Sequence, residues 1–239
     1  MSQAALLLLP NLIGEHRHHE PFLPASVDKA VSTLDGLIAE SVTAGRRYLG
    51  RFETKKAAHE IPIAIYDKRT PDGDLDFLLD PIRKGERWGL VSDAGLPCIA
   101  DPGSRLVLRA KQLGINVQSF VGPSSILLAL MGSGLPGQRF AFHGYLDKDV
   151  AKMKKQIALL EKRAHEEVAT QIFMETPFRN PQTLETVLAT LQDKTLLSVA
   201  WELTLTGQGI LTHPVSTWKK IALPNLEKRN ALFLIGPQG

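Results

Sequence analysis

Ser92, Asp93, Ala94 and Gly95 follow directly on the apolar run Trp88-Gly89-Leu90-Val91. A short apolar run that stops at a turn reads as a buried strand, and in open α/β sheets ligands bind at the loops that leave the carboxyl ends of the strands. In such a loop a carboxylate like Asp93 can accept hydrogen bonds from a ribose or an amine, and a glycine like Gly95 lets a ligand approach the backbone. The same residues also make an ordinary turn in which Asp caps a helix. A second acidic turn, Asp101-Pro102-Gly103, precedes a segment that becomes helical from Arg105. Ser124 and Ser125 follow Gly122 and Pro123 at another strand-to-helix junction. Free N–H groups there can hold a polar ligand, or the serine can act as a plain N-cap.

Three further residues carry acid, base or anion-binding chemistry. Glu175 and Arg179 stand four apart around Thr176-Pro177. They are either a salt bridge that steadies the turn or a pair facing a cleft, with the guanidinium set for a phosphate or carboxylate. Glu202 is another candidate for a base near a weak nucleophile such as a hydroxyl. His143, beside Gly144 and Tyr145, suits either proton transfer or a structural hydrogen bond. His16, His18 and His19 have the close spacing of metal ligands, but the polar stretch around them reads as a surface loop, and no metal is expected.

The elements that must position these residues alternate. Strands are expected at residues 5–9, 61–65, 87–91 and 116–120. Residues 27–45 space Val27, Val31, Leu34, Leu37 and Ile38 at helical intervals, with Ser26 as N-cap and Gly45 as stop. A second helix runs from 105 to Gly114. That alternation predicts a parallel sheet with helices on both faces. After Ser119 the strands crowd together, at 139–143 and then in "TQIFME", "LLSVAWEL", "GILTH" and "NALFLIG", with one helix, 180–191, among them. An apolar helix after Gly122 and an exposed one striped with Val150, Met153, Ile157 and Leu160 come first. Crowded strands predict a mixed sheet. The expectation is two α/β domains, 1–119 and 120–239.

Composition narrows the class. The 239 residues, 44% hydrophobic and 22% charged, are ordinary for a folded globular protein. One cysteine, Cys98, allows no internal disulfide, which points to the cytoplasm. No apolar run reaches the roughly 18 residues of a membrane span, and "AALLLLP" lacks the basic leader of a secretory signal and reads as the first strand. The net charge of +3 permits an anionic partner without requiring one. The whole excess lies after Ser119. The lysines around the exposed helix, Lys152, Lys154, Lys155 and Lys162, with Arg163, read as a solvated face.

Four stretches together resemble the tetrapyrrole-methylase superfamily of S-adenosylmethionine-dependent methyltransferases, particularly the branch that methylates cytidine 2′-O-ribose in 16S ribosomal RNA. They are "VSDAGLPCIADPGSRLV" at 91–107, "VGPSSILLALMGSGLP" at 121–136, "FAFHGYL" at 140–146 and "METPFRNPQTLETVL" at 174–188. The resemblance implies a two-domain α/β enzyme, a homodimer, with the methyl donor in a cleft between the domains and RNA as acceptor. Carried over by position, it places Pro10, Ser92, Asp93, Gly95 and Leu96 at the donor, with Ser124 and Ser125 beside it and Met174 and Ala200 over its adenine. It turns Glu175, Arg179 and Glu202 toward the cleft as candidates for catalysis. The chain departs from the branch at two places. Its first turn reads "LPNLIG" where the branch has Thr-Pro-Ile-Gly-Asn-Leu, and "WELTL" replaces Arg-Glu-Leu-Thr-Lys, losing two cations that could meet phosphates. A tetrapyrrole, another small molecule or a protein side chain is the alternative acceptor, and an idle RNA-associated module is the non-enzyme alternative.

Overall fold

Five strands, β1 (Ala5–Leu8), β2 (Gly36–Ala39), β3 (Ile63–Ile65), β4 (Arg87–Leu90) and β5 (Val117–Ser119), run parallel in the order β3-β2-β4-β1-β5. This is the fold seen in a computed structural model that describes residues 3–238. Alternate side chains point to opposite faces of a strand, and here both faces are apolar. Leu7 and Leu37 pack with Val27, Val31, Tyr48 and Leu49, which brings α1 (Ala25–Val31) and α2 (Val42–Leu49) onto one face. Leu6, Ile38, Trp88 and Leu90 pack with Leu79, Ile82, Leu106 and Ala110, from α3 (Leu75–Arg83) and α4 (Ser104–Gln112), on the other.

The expected helix at 27–45 is instead a helix, a strand and a second helix. Its apolar residues do fall at helical intervals, but Gly36-Leu37-Ile38-Ala39 is a continuous buried run held between β3 and β4. Asp35 fixes the entry to that strand by accepting the Arg87 amide at 2.8 Å. Gly36 lies flat under Trp88, whose ring would stand 2.3 Å from any Cβ built there. Gly45 is not a stop but sits inside α2, close against Ile63. Helix α3 is an addition to the expected elements: Leu75, Leu78, Leu79 and Ile82 fall at helical intervals and are buried, and Pro81 lies inside the helix.

The second sheet is mixed. Strands β6 (Phe140–Tyr145), β7 (Thr170–Glu175), β8 (Thr195–Trp201), β9 (Gly209–Pro214) and β10 (Ala231–Gln238) take the order β6-β7-β10-β8-β9. Only β6 and β7 are parallel. Helix α5 (Ser125–Ser133) covers one face through Ile126, Ala129 and Leu130. The other face carries α6 (Val150–Glu167), α7 (Asn180–Thr190) and the four-residue α8 (Val215–Trp218), with Trp218 fully buried.

Asp149 starts α6 by accepting the Lys152 amide at 2.9 Å, an N-cap bond. Of the expected stripe, Met153, Ile157 and Leu160 are buried and Val150 is exposed. Glu161 joins the buried side, accepting the Gln192 amide at 2.7 Å and the Thr195 hydroxyl at 2.5 Å. The chain divides into the units Met1–Ser124 and Ser125–Gly239, five residues beyond the sequence boundary at Ser119.

Candidate functional site

The carboxyl ends of β4, β1 and β5, three neighbours in the first sheet, bring together the loops that hold Ser92, Pro10 and Gly122. Pro10 and Gly122 touch: a Cβ on Gly122 would lie 2.0 Å from Cβ of Pro10 and 3.3 Å from the Leu96 side chain. Gly122 is therefore needed for a close approach of loops. The β1 and β4 loops are also sewn together by backbone bonds, Asn11 N–H to the Gly95 carbonyl at 2.7 Å and Gly95 N–H to the Leu12 carbonyl at 3.3 Å. Gly95 has φ +64°, a conformation glycine adopts at little cost. The Ser92 hydroxyl donates to the Ala94 carbonyl at 3.0 Å, which tightens the turn from within.

Asp93 stands exposed on this turn, and the fold uses its backbone: the amide donates to Glu40 Oε1 at 3.3 Å and the carbonyl accepts from Asn11 Nδ2 at 3.0 Å. Its carboxylate makes no hydrogen bond to another described residue. Glu40 and Asp101 complete an acidic edge. Burial, above all, pushes the Asp101 carboxyl up to about 6, with the Glu40 and Asp93 charges adding to it and a Ser92 hydrogen bond opposing. Burial likewise raises Glu40, and the Asp93 charge adds to that rise. An edge of carboxylates and carbonyls suits a cationic, hydroxyl-bearing ligand, so the sulfonium nucleoside implied by the resemblance fits the groups present.

In the second unit, Met174 and Ala200 are both register partners of Leu232, one on each side of it across β7, β10 and β8. Ala200 is buried and Met174 half-buried. Ser125 opens α5, and Ser124 is the last residue of the first unit. Glu175 and Glu202 share the end of this sheet. Glu175 pairs in register with Ala231, which pairs with Trp201, and Glu202 continues that ladder through its amide to the Asn230 carbonyl at 3.0 Å.

Glu175 is buried and occupied. It accepts the Thr176 amide at 2.7 Å and hydroxyl at 3.1 Å, and it lies 3.4 Å from Arg179 Nη2. Arg179 also donates to the Lys148 carbonyl at 3.2 Å. Glu202 is half-buried, with one oxygen on the Asn230 amide at 3.1 Å.

The histidines separate. His143 bonds Gln171 at 2.8 Å on the neighbouring strand. His19 is buried rather than in a polar surface loop, paired with Asp28 at 2.6 Å and packed on Phe52. His16 stacks on Phe22, and His18 is exposed. Among the described residues no group of three or more His, Cys, Asp or Glu is arranged to hold a metal ion, and no helix is long and apolar enough to cross a membrane.

Four residues of this site carry no signal of their own in the sequence: Asn11, Glu40, Tyr48 and Arg51. Asn11 lies in the "LPNLIG" stretch, the one hint available. The others reach the strand ends only through folding, since Tyr48 donates to the Pro10 carbonyl at 3.2 Å from 38 residues away.

Two α/β units with a parallel and a mixed sheet define a methylase class of fold. The methyltransferase CobJ superposes with a TM-score of 0.63 at 17% identity, over 98% of this chain and 94% of that one. Uroporphyrin-III-C-methyltransferase from Thermus thermophilus gives 0.57 at 16%, over the same shares. The chain belongs to the Tetrapyrrole (Corrin/Porphyrin) Methylases, the family that residues 30–218 match. Its curated relatives include proteins named ribosomal RNA small subunit methyltransferase I. The Bacillus subtilis protein is 32% identical over 203 residues, which is 83% of this chain and 63% of that protein, so the chain spans just under two thirds of its length. The Thermotoga maritima protein is 29% identical over 204 residues, 85% of each chain. The Xylella fastidiosa protein is 30% identical, over 87% of this chain and 72% of its own.

Proposed function

We propose that this protein is an S-adenosylmethionine-dependent methyltransferase that acts on ribosomal RNA at a ribose 2′-hydroxyl, in the cytoplasm and as a homodimer. The observation that carries the donor half of the reading is the turn at residues 92–95. It is closed by its own Ser92–Ala94 hydrogen bond and anchored to the β1 loop, yet its Asp93 carboxylate is exposed and bonded by no other described residue. The acceptor half rests on the names of the relatives, and the dimer on the resemblance.

S-adenosylmethionine, when bound, supplies a methyl group already activated on a sulfonium. The chain's part is to bind, orient and move one proton. Asp93 would accept hydrogen bonds from the donor's ribose diol, and Pro10, Ser92, Gly95 and Leu96 would wall it. Of the residues that the resemblance assigns to the adenine, Met174 is half-buried and could offer an apolar surface, whereas Ala200 lies wholly inside the core of the second unit. On the acceptor side, Arg179 holds a backbone phosphate, a geometry its planar guanidinium suits. Glu175, engaged by Thr176 and by Arg179, holds that guanidinium in place. Glu202, with a single bond on its carboxylate, would take the proton from the acceptor hydroxyl.

Incubation with radiolabelled S-adenosylmethionine and small ribosomal subunits from a strain lacking the protein tests this. Label on a 2′-O-ribose of the RNA is expected. Label that appears only when a porphyrin precursor or a protein is offered would move the acceptor, and no calorimetric heat with the donor in folded protein would end the enzyme reading. Sedimentation at 26.3 kDa, the mass of one chain, would end the dimer.

A further inference from the structure

Asn11 is buried, and every hydrogen-bonding position of its amide is used. Its Nδ2 donates to the Ser92 carbonyl at 2.9 Å and to the Asp93 carbonyl at 3.0 Å. Its Oδ1 accepts the Leu12 amide at 2.9 Å and Arg51 Nη1 at 2.8 Å. A carboxamide has two donors and an oxygen with two lone pairs, so the four partners account for all of it. They also settle which end is nitrogen, because two carbonyls can only face an NH₂ and two N–H groups can only face an oxygen.

The partners come from three places in the sequence. Ser92 and Asp93 belong to the β4 turn, Leu12 to the β1 loop, and Arg51 to the residues just after α2. The Tyr48 hydroxyl, from the last turn of α2, donates to the Pro10 carbonyl next door. The end of α2 thus grips the β1 loop at two successive residues, and Asn11 passes that grip to the backbone of the turn that carries Asp93. Arg51 lies half-buried, and burial together with the nearby Arg47 charge holds its guanidinium below its ordinary value. A cation kept in that setting has a positional reason to be there.

We infer that Asn11, oriented by Arg51, is a positioning residue that holds the 92–95 turn in the shape that receives the methyl donor. Neither side chain needs to touch the donor. The inference rests on the donor reading above, and it adds that affinity for the donor is set from α2 through one buried amide. No other side chain of similar size offers the same set. Aspartate would turn lone pairs toward two carbonyls, and leucine would leave both carbonyls and two N–H groups without partners, a cost comparable to lost hydrogen bonds.

The test measures binding of S-adenosylhomocysteine by calorimetry, melting temperature, and amide hydrogen exchange without ligand. The proteins are the wild type, Asp93→Ala, Asn11→Asp, Arg51→Ala, Arg51→Lys and the double variant of Asn11→Asp with Arg51→Ala. Asn11→Asp is expected to weaken binding about 10-fold or more, the range for loss of hydrogen bonds around a buried polar group. Arg51→Ala is expected to weaken it severalfold, with Arg51→Lys restoring most of the loss. The double variant should be no weaker than Asn11→Asp alone, because Arg51 acts through Asn11. In Arg51→Ala the Gly95 and Asn11 amides should exchange faster with the melting temperature little changed.

If Asn11→Asp does not fold, the half-exposed Arg51 pair decides the matter. Wild-type affinity in Arg51→Ala and Asn11→Asp, while Asp93→Ala is impaired, overturns the inference and leaves the donor reading standing. Absence of binding by the wild type overturns both.

Discussion

Asp93 and Asp101 share one edge of the first sheet, and their environments assign them different work. Asp93 is exposed and its carboxylate is not used by the fold. Asp93→Ala is therefore expected to leave the melting temperature unchanged and to weaken binding of S-adenosylmethionine about 10- to 100-fold, the value of hydrogen bonds to a charged group; calorimetry beside a thermal melt checks both. Asp101 is half-buried, and its carboxyl titrates near 6 where the ordinary value is 3.8, chiefly because burial disfavours the charge. The folded state thus holds this proton more tightly than the unfolded chain does. Its contribution to stability is greatest below the unfolded value and is lost as pH rises from 3.8 toward 6. Asp101→Asn removes that loss. Water screens a group this exposed, so the gain at pH 8 is expected to be about 1 kcal/mol. That corresponds to roughly 2–4 °C in a chain of this size. Melts at pH 4 and pH 8 check it: the variant should gain at pH 8 and not at pH 4.

At the scale of elements, the strand ends are held by close backbone approach as much as by side chains. Gly122 packs on Pro10 with no room for a methyl group. Gly122→Ala should force the β1 and β5 loops apart, at a cost of about 1–3 kcal/mol, the usual penalty for overpacking. Donor affinity should fall with it; denaturant melts and calorimetry on the same sample would show the two losses together. Elements were legible from sequence where one period dominated, as in α6 with Met153, Ile157 and Leu160, or in the apolar runs that became β1 and β4. They were illegible where two periods coincide. Val31, Leu34 and Ile38 satisfy a helix, but Gly36 under Trp88 and Asp35 on the Arg87 amide belong to a strand inserted between two others. Contacts across the sheet decided it, and a local window does not contain them. The same reason hid Arg51 and Glu40, whose partners at the site lie 40 and 53 residues away in the chain, while Asp93 and Gly95 stood in a single motif.

For the whole molecule, charge bears on how an RNA would be held. The net charge is +3, and several cations on and around α6 are already paired, Lys152 with Asp147 at 3.8 Å and Lys162 with Glu166 at 3.7 Å. Arg179 shares its guanidinium with Glu175, and Trp201 and Leu205 stand where the branch it resembles has cations. The surplus of cations over carboxylates, the part of the charge that favours phosphates over the protein's own acids, is small. Recognition of an acceptor RNA should then depend on the shape of the site around the ribose more than on long-range attraction. Each phosphate neutralised contributes about −0.7 to −0.9 to the slope of log affinity against log salt. With two or three such contacts, binding to a ribosomal RNA fragment should fall only about 10- to 40-fold between 50 and 200 mM salt, where proteins making 6–10 contacts lose about 10³ to 10⁵. Filter binding across that range measures the slope. A slope of −5 or steeper would mean that many more cations reach phosphates than this, and that long-range attraction rather than the shape of the site leads recognition.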